Sequence, residues 1–276
     1  MSEPGFAPVR EVREAGWCCL VEESLADSLL AAGLIRIASS PPASSPAGPT
    51  GRAPHARIHV SGGADVIVRR YRHGGLLARL TGDRFLSSDR FRNEFEIGRA
   101  AFAAGVPTAR PVAVGWRASG PFHRGFIATL VIAAARDLLD LFARPSAEPV
   151  RVSAARACAL AVRRMHDAGI VHADLHLKNL LVGEGADGTP GGTAWVIDLD
   201  LVRREGPPVS MDSRVSNLAR LYRSVEKHRR RGLSIGDAEV EAFCEAYFGE
   251  DRSGRAAAGR AMAAARLRAS LHGRRG

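Results

Sequence analysis

The chain has 276 residues, 46 % of them apolar, enough to bury a sizeable core and longer than one average domain, so that one two-lobed unit or two small domains both fit, and 39 Lys and Arg against 29 Asp and Glu give it a net charge of +10. Its cysteines, two adjacent (Cys18, Cys19) and two isolated (Cys158, Cys244), form neither a disulfide framework nor a Cys-x-x-Cys metal knuckle, so a reduced, cytosolic chain is expected. No run of about 18 uncharged apolar residues occurs and the opening segment lacks the basic-then-apolar layout of a secretory signal, so any membrane association is expected to be peripheral.

Residues 1–38 read as an N-terminal segment with a helical apolar pattern at Leu25, Leu29, Leu30 and Leu34. The tract that follows, SSPPASSPAGPT at 39–50, cannot bury enough surface to order itself and reads as a flexible insertion. ARIHV and ADVIVRRY, separated by SGG, predict a hairpin. A helix is predicted from the Ser/Asp caps at SSDRF through Phe91, Phe95, Ala101 and Phe102, ending at Gly105 before Pro107. GFIATLVIA reads as a buried strand, ARDLLDLF turns helical, and a long Ala/Arg helix covers Val152 to His166. Two apolar strands, NLLV and AWVIDLD, bracket a Gly-rich turn, and the remainder is helical to a basic Ala/Arg tail. With only three Trp, three Tyr and ten Phe, the interior must rest on Ala, Leu and Val.

Strands thus gather in the first half and helices in the second. Chemistry concentrates in GIVHADLHLKNLLV, where His172, Asp174, Leu175 and Asn179 stand as H-x-D-L-x-x-x-N. In phosphoryl transfer a protein mainly positions groups and neutralises charge: an Asp receives or orients the acceptor hydroxyl proton, and an Asn a few residues on helps to hold the metal. Asp174 is therefore the expected base and Asn179 a metal-side ligand. Asp198, closing the apolar strand AWVID, is the expected second ligand, with Asp200 of the same I-D-x-D as the alternative. His172 beside an apolar run is expected to be structural, and Lys178 either solvated or directed to the γ-phosphate. Upstream, VIVR at Val66 to Arg69 occupies the place of a kinase's nucleotide-binding strand, with Arg for Lys, and Glu94 on the next helix is its natural partner. Arg70, which alternation puts on the opposite face, competes with Arg69 for that role. Gly51 opens GRAP, a candidate loop over the nucleotide.

GRAPHARIHV, VIVRRYRHGGLLARLTGDRFL, RMHDAGIVHADLHLKNLLV with WVIDLD, and NLARLYRSVEKH together resemble the bacterial lipopolysaccharide kinase family, the 3-deoxy-D-manno-octulosonic acid (Kdo) and heptose kinases, and within it the Kdo kinases most. The resemblance implies an α+β, protein-kinase-like two-lobed fold, with a small β-rich N-lobe at 51–132 and a larger helical C-lobe at 133–276. It implies transfer of the ATP γ-phosphate, with Mg²⁺, to a hydroxyl of the Kdo sugar of Kdo-lipid A at the cytoplasmic face of the inner membrane. Arg72, His73, Arg79, Arg223 and Lys227 are the basic residues expected to meet that anionic glycolipid. His176 before Leu177 departs from the family's usual text and is similar to the D-L-H of antibiotic phosphotransferases. An aminoglycoside-type phosphotransferase therefore stays open as an alternative. A protein Ser/Thr kinase is less well served, since D-F-G and A-P-E are absent. The basic charge could reflect a solvated, Arg-biased surface, but no aromatic-interleaved basic stretch points to nucleic acid.

Overall fold

The computed structural model describes residues 7–40, 55–60, 62–72 and 82–272. Two compact units divide the chain: Met1–Ala103 with Ala109–Ile132, and Ala104–Thr108 with Ala133–Gly276. Gly51, His73 and Arg79, like residues 41–50 of the Pro/Ser tract, lie outside the described residues.

The first unit is an antiparallel sheet with helices on both faces. Its elements are β1 (Val9–Glu14), β2 (Trp17–Glu22), α1 (Glu23–Ala31), α2 (Leu34–Ser39), β3 (His55–His59), β4 (Asp65–Arg70), α3 (Asp89–Ala103), β5 (Pro111–Ser119) and β6 (Phe122–Leu130). Six strands run in the order β1-β2-β5-β6-β4-β3. The β3–β4 hairpin pairs His55 with Arg69 and His59 with Asp65. On one face α1 and α2 bury Leu29, Leu34 and Ile35 against Trp17, Val21, Val66, Val68 and Phe126. On the other, Phe91 and Phe95 of α3 meet Tyr71, Val114, Trp116 and Ile127. Each fully buried aromatic or branched side chain here contributes about 1.5–3 kcal/mol. Gly125 is required where Phe91 lies on the strand, since a Cβ there would sit 2.8 Å from the ring. The helical pattern of the N-terminal segment is interrupted at Gly33, whose φ of 83° is left-handed.

The β1–β2 hairpin and β5 are strands that the sequence pattern does not supply. In β2 only Trp17, Cys19 and Val21 alternate inward, too short a signal to separate from the helical text beside it.

The second unit holds β7 (Arg136–Asp137), α4 (Leu138–Ala143), α5 (Glu148–Asp167), β8 (Ile170–His172), β9 (Leu180–Gly183), β10 (Thr193–Val196), β11 (Val202–Arg204), α6 (Met211–Arg229), α7 (Asp237–Phe248) and α8 (Arg252–His272). Asp137 caps α4 by accepting the Asp140 N–H at 2.8 Å. The buried stripe of α5 is largely small, with Ala154, Cys158, Ala161 and Val162, which lets β10 and α7 approach closely. β10, β9 and β7 form one small sheet, and β11 pairs with β8 as a second. Among the described residues no helix is long and apolar enough to cross a membrane.

Candidate active site

The H-x-D-L-x-x-x-N segment leaves β8, passes through a short 3₁₀ turn at Leu177–Asn179 and enters β9. The His172 Nε2–H donates to the Ile197 carbonyl at 3.1 Å, and its Nδ1 accepts the Asp174 N–H at 3.2 Å. Those two bonds require a neutral ring protonated on Nε2, and burial pushes the His172 pKa down in the same direction. The side chain, 1 % exposed, thus holds the loop to the strand end that precedes Asp198.

Asn179 is equally constrained. Its Nδ2 donates to the Asp174 carbonyl at 3.1 Å, which turns the amide oxygen into the end able to coordinate a cation. Its own carbonyl accepts the Ile197 N–H at 2.9 Å. Asn179 and Asp198 therefore stand at adjoining ends of β9 and β10, and the pairing Val196↔Leu180 sets that register. Asp198 sits at φ 64°, ψ 59°, a left-handed conformation that costs an L-residue roughly 1–2 kcal/mol and that Asp tolerates better than most. Asp200 lies two residues further, in the 3₁₀ helix Leu199–Leu201. The Asp174 carboxylate is exposed, with His176 Nε2 at 3.5 Å from its Oδ2. Lys178, on the turn beside Asn179, is partly exposed.

Beneath the loop runs a buried polar chain that the sequence reading did not single out. Asn217 of α6 donates from Nδ2 to the His172 carbonyl at 2.7 Å, and its Oδ1 accepts the His172 N–H at 3.3 Å. The same oxygen accepts from His166 Nε2 at 2.9 Å, and His166 Nδ1 accepts the Tyr247 hydroxyl at 2.6 Å. Burial pushes His166 down to about 4, so the ring is neutral, as both bonds require. Ser224, further along α6, accepts the Leu177 N–H at 3.4 Å. A signal for Asn217 exists in the sequence: it occupies the core-facing stripe of α6 with Leu218, Leu221 and Val225, where an amide needs partners.

In the first unit Arg69 Nη2 lies 2.6 Å from Glu94 Oε1, joining β4 to α3, with the Glu94 side chain 4 % exposed. The guanidinium also lies 5.5 Å from the Tyr71 ring centroid. Arg70 points to the opposite face, where its Nη2 donates to the Ile37 carbonyl at 3.3 Å. Arg72 is exposed just past β4. Arg223 and Lys227, one helical turn apart, share an exposed face of α6 in the second unit.

An exposed carboxylate on a hydrogen-bonded loop, with two oxygen donors of hard-cation type at the adjoining strand ends, suits transfer of a phosphoryl group to a hydroxyl. The family model described as Lipopolysaccharide kinase (Kdo/WaaP) family matches residues 50–247. A 3-deoxy-D-manno-octulosonic acid kinase of Stenotrophomonas maltophilia (strain K279a) is 34 % identical over 211 residues, 73 % of this chain and 75 % of that protein. The protein of the same name from Vibrio vulnificus (strain YJ016) is 28 % identical over 185 residues, 65 % of this chain and 73 % of that relative. The solved structure of WaaP in complex with acyl carrier protein matches with a TM-score of 0.52 at 24 % identity, over 78 % of this chain and 87 % of that one, a likeness of fold. The chain belongs to the lipopolysaccharide kinase (Kdo/WaaP) family, and is an α+β kinase of protein-kinase-like fold that phosphorylates a sugar.

Proposed function

We propose that the enzyme transfers the γ-phosphate of ATP to a hydroxyl of the Kdo sugar of Kdo-lipid A, at the cytoplasmic face of the inner membrane. The observation that carries the reading is the loop itself, in which Asp174 is presented to solvent while Asn179 and Asp198 are locked at neighbouring strand ends. The curated relatives named above, each called a 3-deoxy-D-manno-octulosonic acid kinase, support the choice of acceptor.

Asp174 takes the proton of the acceptor hydroxyl as the new O–P bond forms and the bond to the ADP oxygen breaks. Asn179 Oδ1 and the Asp198 carboxylate would hold Mg²⁺, which supplies charge neutralisation on the phosphates when bound. Lys178 adds a positive charge beside that pair. Arg69, fixed by Glu94, serves the nucleotide phosphates, a role that the seat of Arg70 against α2 makes less suitable for its neighbour. Arg72, Arg223 and Lys227 are assigned to the carboxylate and phosphates of the acceptor.

The test is phosphate transfer from radiolabelled ATP to Kdo-lipid A, run beside a generic protein substrate and an aminoglycoside. Label in Kdo-lipid A alone is expected. Label in the aminoglycoside instead would replace the acceptor assignment while leaving the chemistry.

A further inference from the structure

α6 carries two different faces. The inward one holds Asn217, Leu218, Leu221 and Val225, and clamps the catalytic loop through Asn217. The outward one carries Arg220, Arg223 and Lys227, all exposed, with Arg230 at the C-cap and Arg231 following. At 3.6 residues per turn, positions 220, 223, 227 and 230 fall within about a third of the helix circumference and extend over about 15 Å. They form a stripe of positive charge, not a scatter.

α6 and α8 contain few acidic residues. The acidic residues of α6 are Asp212, about 12 Å before Arg220 along the axis, and Glu226, which is buried and engaged by Arg229 at 3.0 Å. α8 packs against α6 and contains no Asp or Glu, while Arg252, Arg260 and Arg266 are exposed along it. Leu267, 63 % exposed, stands next to Arg266, and no exposed aromatic appears among the described residues of either helix. Arginine mixed with aliphatic surface fits an anionic lipid interface; single-stranded nucleic acid calls for stacking rings. The stripe also flanks Ser224, which receives the Leu177 N–H, so it runs beside the turn carrying Lys178 and Asn179.

We propose that the basic stripe of α6 docks on a bilayer surface of anionic phospholipid headgroups, setting the catalytic loop next to the membrane. The inference deepens the acceptor reading above, because a lipid-anchored sugar is presented at such a surface. Its test needs neither nucleotide nor acceptor.

The full-length protein is sedimented with vesicles of phosphatidylglycerol and phosphatidylcholine in equal parts, and with phosphatidylcholine alone. Binding to the mixed vesicles only is expected, falling as salt rises past the screening range. Arg220→Glu with Arg231→Glu is expected to lower partitioning at least about tenfold. An equal reversal elsewhere in the same unit, Arg136→Glu with Arg164→Glu, both exposed, is expected to change it less than about threefold. If the glutamates impair folding, Arg220→Gln with Arg231→Gln is expected to lower partitioning about threefold or more. Equal loss from both pairs, equal binding to phosphatidylcholine alone, or tighter stripe-dependent binding to duplex DNA overturns the proposal. Phosphorylation of Kdo-lipid A in neutral detergent, measured separately, is expected to stay within about twofold for the Arg220/Arg231 variant. Its absence in the wild type would remove the acceptor reading and leave the vesicle result standing.

Discussion

The two units place charge in opposite ways. In the first, the Arg69 guanidinium is set by another charge, Glu94, taken almost wholly out of water at the α3 face of the sheet. In the second, Asp174 and Asp198 stay exposed, and uncharged groups below them determine where they stand: neutral His172, Asn217, neutral His166 and the Tyr247 hydroxyl. A buried ion pair tolerates poorly the loss of either partner, whereas a neutral network transmits a defect along its length. Carboxylates meant to meet a ligand profit from the second arrangement, because they stay accessible while their backbone is fixed from behind.

The largest expected effects fall on the exposed carboxylates. Asp174→Asn should lower turnover about 10²- to 10⁴-fold with the ATP dissociation constant within about threefold, read by single-turnover transfer and nucleotide titration. Turnover within about threefold of wild type would remove Asp174 as base. Asp198→Ala should abolish transfer and also weaken Mg·ATP, with Asp200→Ala doing less. The reverse ranking in a Mg·ATP titration would exchange the two roles.

The neutral network comes next. Asn217→Leu leaves the buried His172 N–H and carbonyl without their side-chain partner, at about 1–3 kcal/mol for each unsatisfied group. Turnover should fall about tenfold or more while KM for ATP stays nearly constant, the pattern of an interaction felt in the transition state. A loss of stability with unchanged turnover would make the network purely structural and break the contrast drawn above.

In the first unit, Glu94→Gln keeps a hydrogen-bond acceptor and removes the charge beside Arg69. A destabilisation of about 1–3 kcal/mol, below the full cost of severing a buried pair, is expected in urea titration. KM for ATP should rise several-fold with KM for the acceptor unaffected. If both rise together, the pair holds the fold and does not serve the nucleotide.

The smallest effect is on pH dependence. His166 is held neutral, with its pKa lowered from 6.5 to about 4, so between those values the unfolded chain binds more protons than the folded one. Stability from this group is complete above pH 6.5 and is lost as pH falls toward 4, about 2 kcal/mol between pH 7 and 5. His166→Gln should flatten that slope in paired urea titrations. An identical slope in both proteins would place the titration elsewhere.

Local chemistry alone picked out the candidate reactive set of this protein. Asp174 and Asn179 fall within one loop, so their spacing along the chain already constrains their spacing in space, Asp198 follows the strand that pairs with β9, and Glu94 was legible as the partner of Arg69 from strand and helix order. What supports that set was decided by tertiary packing. Asn217 lies 45 residues from His172, and Tyr247 lies 81 from His166, separations at which sequence pattern carries no register. The β1–β2 hairpin likewise became visible only when α1, α2 and the sheet closed over Trp17, Cys19 and Val21, because alternation across three inward positions is indistinguishable from chance until a core exists to receive it. Which arginine meets Glu94 followed from the pleat, which sends Arg69 to that carboxylate and Arg70 to the Ile37 carbonyl.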